Sequence, residues 1–146
     1  MWDNWVNADS TAMRLGDERL SVFASLACDV LDIGDGNQIN RWRNAFRGGL
    51  RIATGGHGLM HDAAGFGKNF ASRLQTGESF HNAYANAAFD ASSSSYPGVF
   101  ATGAGTTLDD CYNRLFGATM STVTSLPRLR DNAAAWYCWT TWTPAQ

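Results

Sequence analysis

The sequence predicts an α/β fold, a small, mainly parallel sheet in three layers with helices on both faces. Three observations carry this expectation. Two apolar strand-like segments flank a single helical stripe in residues 20–54, two further amphipathic stretches follow in 63–90, and an aromatic, β-branched segment closes the chain at 134–142.

Residues 20–28, Leu-Ser-Val-Phe-Ala-Ser-Leu-Ala-Cys, are apolar with only small serines between, the pattern of a strand buried on both faces; the Ala and Leu content would also suit a buried helix. A loop rich in Gly and Asp comes next at residues 32–37, and then Ile39, Trp42 and Phe46 form one helical stripe, with Arg41, Arg43 and Arg47 off it. Gly48 and Gly49 end that helix, and residues 50–54 are a second short strand closed by Gly55 and Gly56. Strand, helix and strand in sequence make a βαβ unit, which forces the two strands parallel and ends both on one edge of the sheet. Phe66, Phe70 and Leu74 argue a helix over 63–75, broken at Thr76-Gly77, and Phe80, Ala83, Tyr84, Ala87 and Ala88 argue another over 79–90. Ser92 to Ser95 with Tyr96-Pro97-Gly98 read as an internal loop over 92–98 between two halves of one domain. Val99 to Ala101 suit a short strand, 108–116 a helix and 134–142 a strand.

Composition narrows the function. At 146 residues with 45% hydrophobic and 16% charged residues, the chain is long and apolar enough to bury a core without metals or disulfides, and one domain is expected. Eleven Lys and Arg against thirteen Asp and Glu leave a formal charge of −2, so no basic field exists to collect phosphates, and nucleic acid is not expected as a partner. No apolar run has the length of a spanning helix and the first residues lack the basic and apolar regions of a signal peptide, so the expectation is a cytoplasmic chain without membrane contact. Cys28, Cys111 and Cys138 are odd in number, widely spaced, and fit neither a disulfide framework nor a CxxC metal pair.

Ligands of open α/β sheets bind at the carboxyl ends of strands, and the first two strands deliver Cys28 and, just past the second, His57 to that edge. A thiol beside an imidazole is the minimum for nucleophilic catalysis, because the thiolate is the reactive species and a neighbouring base makes it available. Gly55, Gly56 and Gly58 around His57 would let backbone N–H groups approach a bound carbonyl, which makes them the candidate substrate-binding loop. The plainer account makes Cys28 a small core hydrophobe and His57 a turn residue; Cys111 and Cys138 are structural on the same grounds. His57 and His61 are four apart, but Gly58 stands where an HExxH motif requires its Glu and the glycines disfavour a helix, so neither a metal site nor any other cofactor is expected. Trp136, Cys138, Thr140 and Trp142 would face one side of the last strand and Tyr137, Trp139 and Thr141 the other, leaving one aromatic face for core and the other for core or a partner.

The order of these segments, from the strand ending in Cys28 through Arg41 to Phe46, Gly48 to Gly55, Leu74 to Gly77 and Phe80 to Tyr84, resembles the C-terminal half of CHAT-type caspase-like peptidases. It is closer still to a bacterial family of caspase-like appearance in which counterparts of Trp2, Trp5 and Gly16 precede the cysteine strand and a segment like residues 97–103 follows. The likeness covers about residues 2–105. It implies that Cys28 stands at the nucleophile position and that the next strand ends where specificity-pocket residues lie. The family's catalytic His follows a strand upstream of the Cys strand, whereas no His precedes His57 here. Three expectations follow: a chain lacking its first strands, an inactive relative, or His57 acting from the other side. A caspase-like cysteine peptidase acting on peptide or protein, and a noncatalytic interaction module using the aromatic last strand or an open sheet edge, are the two functions that fit. The open edge also predicts a homo-oligomer.

Overall fold

The computed structural model describes residues 20–32, 42, 50–61, 63–103, 107–124 and 136–144. These form a four-stranded sheet in the order β1 (Val22–Ala24), β2 (Ile52–Gly56), β3 (Pro97–Gly103), β4 (Trp136–Thr141). Four helices are described: α1 (Phe66–Gln75), α2 (Phe80–Ala91), α3 (Leu108–Gly117) and the short α4 (Met120–Val123). Trp2, Trp5, Gly16, the Gly and Asp loop beyond Asp32, and the helix expected around Trp42 lie outside the described residues, apart from Trp42 itself.

β1 and β2 are parallel, with Val22 opposite Ile52 and Ala24 opposite Thr54, as the βαβ reading requires. The mainly parallel expectation is corrected beyond that pair. β2 and β3 run antiparallel, Gly56 opposite Pro97, and β3 and β4 are antiparallel as well, Gly98 opposite Thr141. The reason lies in the connections. A single helix between strands returns the chain to the edge where the first strand began, whereas α1 and α2 fold back on each other and cancel, so β3 enters the sheet at the edge where β2 left it.

α1 and α2 meet through Phe66, Phe70 and Tyr84, whose rings pack edge to face at 5.4 and 5.6 Å. Arg73 ties the pair outside, donating to Glu78 at 2.8 Å and Asp90 at 2.7 Å. Ser79 caps α2 by accepting the Asn82 N–H, and Gly77, with φ of 90°, makes the left-handed turn that ends α1's reach toward it. Phe80, Ala83, Tyr84, Ala87 and Ala88 then make one buried face of α2. That face joins Ile52, Val99, Ala101 and Leu115 in the larger core. Leu31, Trp42, Leu50, Ala53 and Phe100 make a separate core on the opposite sheet face. Alternation along β2 and β3 divides them, since Ile52 and Ala53, or Phe100 and Ala101, point opposite ways. Every residue of β2 and β3 is buried, as befits the two inner strands of the sheet, while β1 is only half-buried rather than covered on both faces.

The cysteine expectation is also corrected. Cys111 and Cys138 form a disulfide that staples α3 to β4 across a Cα separation of 6.0 Å. Gly103 makes this approach fit: a Cβ there would stand 2.9 Å from the Cys111 Cβ. Both cysteines are buried, and a sequence separation of 27 carries no information about which faces of a helix and a strand will meet. No helix among the described residues is long and apolar enough to cross a membrane.

Candidate functional site

Cys28 lies just beyond β1, at the carboxyl edge of the parallel pair, and its thiol is free and exposed. The segment that carries it is laced to the end of β2. Ser25 N donates to Thr54 O at 3.0 Å, Gly56 N to Ala27 O at 3.3 Å, Asp29 N to Gly58 O at 3.2 Å and Leu31 N to Gly56 O at 2.8 Å. Tyr84, reaching up from α2, donates its hydroxyl hydrogen to Ser25 O at 2.5 Å; burial pushes this phenol's pKa above the ordinary value, so it stays a donor. Asp29, immediately after the thiol, has φ of 55°, a left-handed conformation that non-glycine residues hold at a cost and that clusters at functional sites.

The Met60 peptide closes the other side of the sulfur. Its N–H donates to Cys28 Sγ at 3.2 Å and its carbonyl lies 3.6 Å from the same atom, so the thiolate has a donor and the thiol an acceptor. Among the described residues the N–H groups of Cys28 and Gly58 have no protein acceptor. Two unengaged amides on adjoining turns are the kind of donors that stabilise a developing oxyanion.

His57 sits in the turn after β2. Its N–H donates to Tyr96 O at 3.0 Å and its ring meets the Tyr96 ring edge to face at 5.7 Å. Nε2 lies 3.1 Å from the Trp142 carbonyl. A carbonyl only accepts, so Nε2 carries the proton and, in the neutral ring, Nδ1 keeps the lone pair that a base needs. Cys28 and His57 follow strands that end on the same sheet edge, but among the described residues no hydrogen bond joins their side chains: the His57 ring reaches Trp142, just past β4, whereas Cys28 lies just past β1.

The three glycines have closer work than expected. A Cβ on Gly55 would stand 2.1 Å from Val30 Cγ1, one on Gly56 2.4 Å from Met60 Cγ, and one on Gly58 3.1 Å from the Tyr96 ring. Their lack of a side chain lets the Cys28 turn and Tyr96, just before β3, approach β2, and the Gly56 amide is spent on Ala27.

Reading the sequence missed the Met60 peptide, the Tyr84 hydroxyl and the Trp142 carbonyl. The first and last are main-chain groups and leave no trace in residue identity; Tyr84 was legible only as the buried face of a helix. His81 lies at the start of α2 with its ring 4.6 Å from that of Trp142, Asp62 is outside the described residues, and no group of three or more His, Cys, Asp or Glu among the described residues is placed to hold a metal. A cavity of about 180 Å³ between α1 and α2, lined by Ala64, Phe66, Asn69 and Asp90, is smaller than the roughly 300–1,000 Å³ of ligand pockets. The Cys28 edge, with its free and exposed thiol, is the candidate site.

No curated protein and no solved structure matches the chain. One family model does, over residues 3–141, and by it the chain belongs to the DUF6345 family, described as a domain of unknown function.

Proposed function

We propose that this domain is a thiol-dependent hydrolase of peptide bonds, a cysteine peptidase of caspase-like type, with Cys28 as nucleophile and His57 as its base. The observation that carries the reading is the exposed Cys28 thiol at the carboxyl edge of the parallel strands with the Met60 N–H on its sulfur. In the reaction, the thiol proton passes to His57 Nδ1 as Sγ attacks the substrate carbonyl carbon. The Cys28 and Gly58 amides take the negative oxygen; the intermediate collapses, the C–N bond breaks, and the amine leaves with the proton from His57. Water then hydrolyses the thioester and restores the thiol. Because no hydrogen bond joins the two side chains before substrate binds, the first proton transfer runs through a bridging water or follows closure around substrate.

The resemblance to the C-terminal half of CHAT-type peptidases supports the Cys28 assignment, and the location of His57 after, rather than before, the cysteine strand stands apart from that pattern. The cytoplasmic location expected from the sequence does not suit the Cys111–Cys138 disulfide, because cytosolic reductants keep thiols reduced; the proposal places the working protein in an oxidising compartment. The test is turnover of a mixed peptide library followed by mass spectrometry. Cleavage by the wild type that is absent in Cys28→Ala supports the proposal, and identical products from both, or none from either, contradict it.

A second reading has its own observation. Trp136 and Trp139 are exposed on β4, which has no further strand beside it among the described residues. A noncatalytic module would use this edge to bind a peptide, a protein or a second copy of the chain. Loss of self-association or peptide binding in Trp139→Ala, with Cys28→Ala without effect, would favour it.

A further inference from the structure

We infer that β4 is the positioning element of the Cys28 edge: the Cys111–Cys138 disulfide clamps it to α3, and through the Trp142 carbonyl it fixes the orientation and tautomer of His57. The inference rests on the proposed role of His57 for its functional meaning, though not for its geometry. The chain of contacts is continuous. Cys138 lies within β4 and is covalently tied to Cys111 on α3. β4 keeps its register on β3 up to Thr141 opposite Gly98, and the next residue, Trp142, donates its N–H to Pro97 O at 3.1 Å. Its carbonyl, set by that bond, meets His57 Nε2 at 3.1 Å.

Among the described residues no other group holds the imidazole by a hydrogen bond, and Tyr96 touches only its ring edge to face. Without the Trp142 carbonyl, the proton on a neutral ring is free to move to Nδ1, and a ring protonated there offers no lone pair on that side. Among the described residues no hydrogen bond joins this strand to the Cys28 turn, so it acts on the thiol through His57. Cys111, Cys138 and Trp142 are positioning residues in this scheme, and the disulfide serves the site as well as the fold.

The experiment compares oxidised wild type with the double variant Cys111→Ala/Cys138→Ala, both checked for fold by circular dichroism. Long-range nitrogen–proton correlation of labelled histidines reads the His57 tautomer, and iodoacetamide labelling at pH 6 reads Cys28. The expected result is an Nε2–H tautomer in the wild type, a mixture in the double variant, and Cys28 labelling slowed about three- to tenfold. An unchanged tautomer in a folded double variant overturns the inference. If the tautomer responds while Cys28 is inert in both proteins, β4 positions His57 but the hydrolase reading fails. Should the double variant not fold, Trp142→Pro is read against Trp142→Ala: both lack the indole, only the proline lacks the N–H that docks to Pro97, and equal His57 tautomers in the two would overturn the inference.

Discussion

The stapled corner of α3, β3 and β4 and the carboxyl edge of β1 and β2 use the same residue type in opposite ways. In the corner, Cys111 and Cys138 are 0% and 3% exposed, packed under a fully buried strand, and spent on each other. At the edge, Cys28 is open to solvent, its sulfur held by Met60, with a left-handed residue next in the chain, and its own amide and that of Gly58 have no acceptor among the described residues. Burial and partners, rather than the cysteine itself, decide which cysteine is cross-linked and which keeps an exposed thiol.

The largest expected effect tests this contrast on stability. Removing both Cys111 and Cys138 as alanine should cost about 3.5 kcal/mol for a cross-link of this span, read as a fall in the urea midpoint, whereas Cys28→Ala should stay within about 0.5 kcal/mol. Equal midpoints would erase the distinction. Next, Gly55→Ala puts a Cβ into Val30 Cγ1 and should destabilise by about 1–3 kcal/mol, while Gly67→Ala, on α1 with nothing within 4 Å, should stabilise by up to about 1 kcal/mol; thermal melts of the two give the comparison. Tyr84→Phe sharpens it further. It leaves the ring packing in place and strips the donor from Ser25 O, for a loss of about 1–2 kcal/mol in the same assay, with faster amide exchange at residues 25–28 than in β4.

The smallest effect is one of pH. Desolvation lowers the pKa of His81, packed between Phe116 and Trp142, and its bond to Asn82 only partly opposes this. A depressed value means that the folded state resists the proton, so the stability it contributes is full above the unfolded value of about 6.5 and is lost as pH falls below it. Urea midpoints at pH 7.5 and pH 5 should therefore converge slightly in His81→Asn relative to wild type. A wild-type difference untouched by the substitution would assign the acid sensitivity elsewhere.

Much of the frame was legible in the residues. The Phe66, Phe70, Leu74 spacing marked α1, the alanine and aromatic face marked α2, and the βαβ spacing brought Cys28 and His57 to one edge. What failed has a common cause. Periodicity describes faces and not neighbours, so it could not reveal that paired helices would turn β3 and β4 antiparallel, nor that Cys111 and Cys138 would meet. Of the candidate site, the sequence offers only the side chains, Cys28 and His57. Its remaining parts, the Met60 peptide and the Trp142 carbonyl, are backbone groups placed by tertiary structure.

The central claim is that Cys28 is a reactive thiol served by His57, and its most direct measurement is the rate of Cys28 alkylation by iodoacetamide from pH 5 to 9, read by peptide mass spectrometry in oxidised protein. An ordinary thiol, with a pKa of about 8.5, labels slowly at the acid end. The account predicts fast labelling at pH 6 in the wild type that collapses in His57→Ala. Labelling at pH 6 no faster than that of a free cysteine, or unaffected by His57→Ala, would contradict it.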